Sequence, residues 1–136
     1  MEKIQEITIS LHCGSSREIV NEQMNLLNDL NHDYHIHWNN RIDRHPQMYS
    51  SYSEMINHVV ATSKTEWIIF INDRVKPTVD EVKKMIIHLE NGHAFVMFYN
   101  VAFMGFSKEL VREVGWWDER FLLGGWEDRD WVWRIR

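Results

Sequence analysis

The sequence predicts a small α/β domain over residues 1–136, with a mostly parallel sheet flanked by helices on both faces. Three observations carry that expectation. Strand-like segments alternate with segments of helical periodicity from Ile4 to Val114. Trp67-Ile68-Ile69-Phe70-Ile71 is a continuous run of β-branched and aromatic residues, the pattern of a strand buried on both faces. A length of 136 residues suits one domain and is enough for a sizeable core.

The elements follow in order. Ile4–Leu11 alternates Ile4, Glu6, Thr8, Ser10 against Gln5, Ile7, Ile9, Leu11, which predicts a half-buried first strand. His12-Cys13-Gly14-Ser15-Ser16 reads as a loop. Ser15 with Glu18 has capping-box spacing and opens a helix to about Asn31, with Val20, Met24, Leu27 and Leu30 on one face. Tyr34–Trp38 reads as a second strand, and the polar segment Asn39–Ser51 as a loop. Ser51 or Ser53 caps a helix that turns Met55, Ile56, Val59 and Val60 inward and ends near Ser63. After the strand at Trp67–Ile71, Thr78 and Glu81 form another capping box. Val79, Val82, Ile86 and Leu89 make the buried face of that helix, and Gly92 closes it. Ala94–Tyr99 and Val101–Phe106 read as two more strands. Ser107 caps a short helix through Val114. The predicted order is β-α-β-α-β-α-β-β-α-α.

Composition narrows the function classes. A net charge of −5 argues against nucleic-acid binding through a basic surface. No apolar run approaches the roughly 20 residues needed to span a bilayer. Met1-Glu2-Lys3 leads into alternation instead of an apolar leader, and the lone Cys13 suits a reducing compartment, so the expected location is cytoplasmic. His32, His35 and His37 lie close together, with His35 and His37 on one strand face, but two histidines fall short of the three or four ligands of a transition-metal site. Cys13 has no evident activating partner and is not expected to be a nucleophile.

Two regions attract chemistry. Ligands of open α/β sheets bind beyond the carboxyl ends of strands, which singles out His12-Cys13-Gly14, Trp38-Asn39-Asn40 and Asn72-Asp73-Arg74. The second region is Gly115–Arg134, GWWDERFLLGGWEDRDWVWR, which holds five of the seven tryptophans and five acids. Gly124-Gly125 breaks the chain, and Trp126-Glu127-Asp128-Arg129-Asp130 then opens a helix with Trp131 and Ile135 on one face. Carboxylates suit the unpaired N–H groups of a first helical turn. Trp-rich segments also pack cores, and acids at a helix start often only complement its dipole. A glycine turn that brings acids beside indoles equally suits sugar chemistry, since indoles stack on sugar faces and a carboxylate accepts a hydroxyl proton.

The order GFSKELVREVGWWDERFLLGGWEDRDWVWRI resembles the C-terminal half of GT-A-fold, Rossmann-like nucleotide-sugar glycosyltransferases, in the family-two pattern G-x-x-D-E-x-F followed by E-D-x-D. Its G-W-E-D-x-D-W wording is similar to the galactosyltransferase form of the E-D motif. The resemblance is close over about 35 residues and looser elsewhere, and such enzymes usually continue past the E-D helix into an acceptor region. It implies a hexosyltransferase that moves a sugar from a nucleotide-sugar donor, a UDP-sugar, to a carbohydrate or other hydroxyl acceptor with inversion. Asp128 would be the general base, Glu127 would hold an acceptor hydroxyl, and Gly125 and Trp126 would complete the acceptor site. His12 and Gly14 would hold the nucleotide, and Asn39 would stand where an acid usually pairs with the base. Arg41 and Arg44 would lie within reach of phosphate, unless they are simply solvated loop residues.

The triplet Asn72-Asp73-Arg74 stands where such enzymes carry D-x-D. Asp73 would bind a divalent metal, Mn or Mg, with Asn72 and water. Alternatively Arg74 itself would neutralise the diphosphate, its planar fork matching phosphate oxygens. A third reading is lost activity, and Asp73 as a plain turn acid is a fourth. Asp130 is expected to pair with Arg134 at i, i+4. Trp116, Trp117 and Trp131 are expected in the core. Two rival functions remain: a non-catalytic nucleotide- or sugar-binding module, and a subunit that completes its site as a homo-oligomer.

Overall fold

The computed structural model describes residues 3–14, 17–30, 33–40, 52–72, 75–98, 100–118 and 127–135. Its order is β1 (Glu6–Gly14), α1 (Arg17–Asn28), β2 (Asp33–Asn40), α2 (Tyr52–Thr62), β3 (Trp67–Asn72), α3 (Val79–Glu90), β4 (Phe95–Phe98), β5 (Asn100–Ser107), α4 (Lys108–Val114) and α5 (Glu127–Ile135). The element order matches the expectation throughout.

One five-stranded sheet runs β2-β1-β3-β5-β4. β1 pairs in parallel with β2 and β3, whereas β5 is antiparallel to both β3 and β4. Four of the five strands therefore run in one direction and β5 alone runs against them, a mixed but mostly parallel sheet. The reason is the short connection between β4 and β5. The β3-α3-β4 crossover skips one position, and β5 turns straight back into the gap, which only an antiparallel strand can do.

Side-chain alternation divides the core in two. Ile7, Ile9 and Leu11 of β1, Ile69 and Ile71 of β3 and Phe103 of β5 face one side, against Leu27 and Leu30 of the α1 segment and Val82, Met85, Ile86 and Leu89 of α3. Ile68, Phe70, Met104 and Phe106 face the other, against Met55, Ile56, Val59 and Val60 of α2, Leu110 and Val111 of α4, and Trp117 and Trp131. Helices thus cover both faces. Met85 joins the inward face of α3 although its sequence pattern singled out only its neighbours. It packs over Gly105, where a Cβ would sit 2.9 Å from its sulfur. The glycine thus admits the close approach of α3 to the sheet.

Local chemistry sets the ends. Thr78 and Glu81 form the expected capping box on α3, and Ser107 caps α4 by accepting from Leu110 N–H. Gly92, at φ +97°, follows the cap residue Asn91. β1 extends past its expected end to Gly14, because His12 and Gly14 pair with Asn39 and Asn40 of β2. Those two asparagines therefore belong to a strand, not a loop. Ser53 lies inside α2 and is not its cap; Ser51 and Ser15 fall outside the described residues. Thr8, buried on β1, shares hydrogen bonds of 2.9 Å with the hydroxyls of Ser63 and Thr65 in the turn before β3.

Gln23 on α1 breaks the usual rule for interiors. It is 5 % exposed, and among the described residues neither carboxamide atom has a hydrogen-bond partner. Gln23→Leu, close to isosteric, is expected to raise stability by about 1–3 kcal/mol by removing that desolvated group. A urea titration checks it. A lower midpoint for the variant would mean that the carboxamide is satisfied in solution.

Candidate functional site

The carboxyl ends of the three parallel strands form one row. His12 is in register with Asn39 on one side and with Asn72 on the other. At about 4.8 Å between strands, the row spans roughly 10 Å. The structure thus brings together three of the residues singled out for donor binding, and Gly14 joins them opposite Asn40. For His12, Gly14 and Asn39 the description is of the backbone. Asn72 is half-buried, and its carbonyl accepts the Val75 N–H at 3.3 Å. Asp73 and Arg74, the metal and phosphate candidates, lie outside the described residues, as do Arg41 and Arg44.

The base and acceptor candidates Glu127 and Asp128 belong to α5. Gly125 and Trp126 lie outside the described residues, whereas Glu127 and Asp128 open the helix as expected, placed by their backbone. The anchor of α5 is Trp131, fully buried, whose ring lies 4.9 Å from Phe106 and 5.2 Å from Trp117. Phe106 pairs with Ile68, four residues and about 13 Å along β3 from Asn72. The helix is therefore seated on the opposite half of the sheet from the His12 row. Asp130 pairs with Arg134 at 3.1 Å, as the i, i+4 spacing predicts.

The chain leaving α4 is held at each carbonyl from Val114 to Trp117. Gly115 turns the chain at φ +102°, a conformation that disfavours any other residue. The carbonyls of Val114 and Trp116 accept from the two terminal nitrogens of Arg134 at 3.4 and 2.8 Å. The Gly115 carbonyl accepts from the Trp131 indole N–H at 2.9 Å. Asn57 on α2 brackets Trp117: its amide donates to the Trp117 carbonyl at 2.8 Å and its oxygen accepts the Trp117 N–H at 3.0 Å. Four successive carbonyls are thus tied to three side chains. This clamp was not legible in the sequence, because Asn57 lies 60 residues from its partner and in an ordinary amphipathic helix.

One expectation about aromatic residues changes. Trp117 and Trp131 are core, but Trp116 is 52 % exposed, because the clamp that buries Trp117 turns its neighbour outward. Trp133 on α5 is 75 % exposed. His35 lies 3.7 Å from Glu6, and among the described residues no three His, Cys, Asp or Glu side chains converge on a metal position. No described helix is long and apolar enough to cross a membrane.

No family model matches this chain, and no curated protein matches it either.

Proposed function

We propose that the chain is a GT-A-type glycosyltransferase domain that moves a hexose from a UDP-sugar to an acceptor hydroxyl with inversion. The observation that carries this reading is the in-register row of His12, Asn39 and Asn72 at the carboxyl ends of three parallel strands, upstream of a helix that opens with Glu127-Asp128. Such a strand-end row is where open α/β sheets receive nucleotides.

In this reading His12, Gly14 and Asn39 hold the nucleotide. The acceptor oxygen attacks the anomeric carbon, its proton passes to the Asp128 carboxylate, and the bond to the diphosphate oxygen breaks with the electron pair leaving on that oxygen. Glu127, Gly125 and Trp126 orient the acceptor. Asn72 and Asp73 would supply hard oxygen ligands of the kind that suits Mn or Mg. Such an ion, when bound, neutralises the leaving diphosphate. Arg74 is the alternative source of that charge. The expected compartment is the cytoplasm, on the strength of the lone Cys13.

The test is turnover of a panel of nucleotide sugars, with and without chelator. The expected result is release of UDP, lowered by EDTA and restored by manganese if Asp73 binds metal. Activity indifferent to EDTA would assign the charge to Arg74. The altered triplet Asn72-Asp73-Arg74 also favours a second reading, a non-catalytic nucleotide- or sugar-binding module. It predicts calorimetric binding of UDP or a sugar with no product.

A further inference from the structure

We infer that the β2 edge of the sheet carries a zinc site formed by His35 and His37 of β2 with Glu6 of β1. The site is separate from the strand-end row, since His35 stands four residues, about 13 Å, from Asn39 along β2. It does not depend on the transferase reading.

Strand pairing brings the three residues together. β2 lies at the edge of the sheet, beside β1. Register sets Glu6 opposite Asp33, Thr8 opposite His35 and Ser10 opposite His37. Residues in register share a face, and every second residue along a strand returns to it. Glu6, Asp33, His35 and His37 therefore belong to one face. It is the face that α2 covers further along the sheet, because Thr8 is also in register with Ile68. His37 is described by its backbone, with its Cα about 6.6 Å from that of His35. The triplet His35-Ile36-His37 thus puts two imidazole-bearing positions next to each other on that face.

The neighbouring strand supplies the ligand that the histidines lack. Two imidazoles fall short of a transition-metal site, which takes three or four protein ligands. The Glu6 carboxylate lies 3.7 Å from His35 Nε2. That distance is too long for a hydrogen bond. It is close to the N···O separation of roughly 3.4 Å across a tetrahedral ion with bonds of about 2.0–2.2 Å to each atom. Both side chains are partly exposed, so an ion reaches them without opening the core. Thr8, on the strand behind them, is buried and held by the hydroxyls of Ser63 and Thr65, which fixes β1 in place. Asp33 adds a second carboxylate to the face. Imidazole nitrogen with carboxylate oxygen is a donor set that suits zinc, whereas magnesium and calcium prefer oxygen throughout. Three protein ligands leave the fourth tetrahedral position to water. A bound ion would tie the edge strand to β1 and stabilise the fold by mass action. The rival reading of the same contact is a weak surface pair between Glu6 and a protonated His35.

The test is calorimetric titration of the whole, EDTA-stripped chain with zinc. It compares wild type, Glu6→Gln, His35→Ala, His37→Ala and the double variant His88→Ala/His93→Ala. The double variant removes a different histidine pair, whose rings lie 5.6 Å apart. The expected result is one zinc per wild-type chain, binding about tenfold weaker or worse in each of the three site variants, and wild-type binding in the double variant. Zinc should raise the melting temperature of wild type and not those of the site variants, and excess magnesium should not displace it. A wild type that binds no zinc overturns the inference and leaves the surface pair. Undiminished binding by His35→Ala or His37→Ala overturns it too. Undiminished binding by Glu6→Gln reduces the site to two histidines and overturns the three-ligand assignment. A loss confined to the double variant moves the ion to that other pair and equally overturns it. Metal-free melts should keep the site variants within a few degrees of wild type. Should one collapse, cobalt in place of zinc decides on wild type alone. The intense visible absorption of a four-coordinate ion supports the site, and the weak spectrum of a six-coordinate ion overturns it.

Discussion

Asp128→Asn is expected to lower kcat for sugar transfer by about 10²–10⁴-fold, with little change in thermal stability. The physical reason is the loss of a proton acceptor at a position that keeps its shape and its hydrogen-bonding capacity. The carboxamide cannot take the acceptor proton, so the hydroxyl must attack undeprotonated. Residue 128 lies in the first turn of α5, where the helix N–H groups favour a negative charge over a neutral amide by a few tenths of a kcal/mol. That small term bounds the expected change in stability. Glu127→Gln should behave differently, raising KM for the acceptor more than it lowers kcat, because its proposed role is to bind a hydroxyl. Steady-state kinetics on any nucleotide sugar that wild type accepts distinguishes the two. Equal rates for wild type and Asp128→Asn would remove Asp128 from the chemistry.

Asn57→Ala is expected to destabilise the fold by about 2–5 kcal/mol. The substitution removes both bonds that bracket Trp117 at a site where the side chain and its partner are buried. It also leaves a cavity the size of a carboxamide beneath α2. Trp117 stacks on Trp131, so the loss spreads to the anchor of α5. Asn57→Asp provides the sharper probe. It keeps an acceptor for the Trp117 N–H but turns a carboxylate oxygen towards the Trp117 carbonyl. It should be at least as destabilising at neutral pH, and less so once acid protonates the new carboxyl. Urea unfolding of the three proteins decides the matter. An Asn57→Ala midpoint equal to wild type would show that the bracket contributes nothing net.

The two effects are linked through the same segment. Arg112, at the end of α4, donates to Glu66 and Glu109, and the hydrogen bond to Glu66, then that to Glu109, raises its guanidinium above the usual arginine range. Lys108 reaches the Ser63 carbonyl from the same helix at 2.6 Å. α4 is thus tied to the turn before β3 at its polar side. The Gly115–Trp117 segment that leaves it is tied to α2 and α5. Disturbing the clamp is therefore expected to move α5 more than it moves the sheet.

Much of the architecture was already legible along the chain. Alternation at Ile7, Ile9 and Leu11, the apolar run Trp67–Ile71, the Thr78–Glu81 box and the cap at Ser107 each specify a local structure through interactions within a few residues. Such interactions are written into sequence spacing. The order of ten elements, the inward faces of α2 and α3 and the Asp130–Arg134 pair follow from it. Pairing between distant segments decided the rest. The insertion of β5 between β3 and β4 set one reversed strand inside an otherwise parallel sheet, and strand register carried β1 to Gly14 and aligned His12 with Asn39 and Asn72. A bond spanning 60 residues from Asn57 buried Trp117 and left Trp116 in water. Local spacing has no means of expressing these outcomes, because each depends on which remote backbone groups meet once the two cores have closed on the sheet.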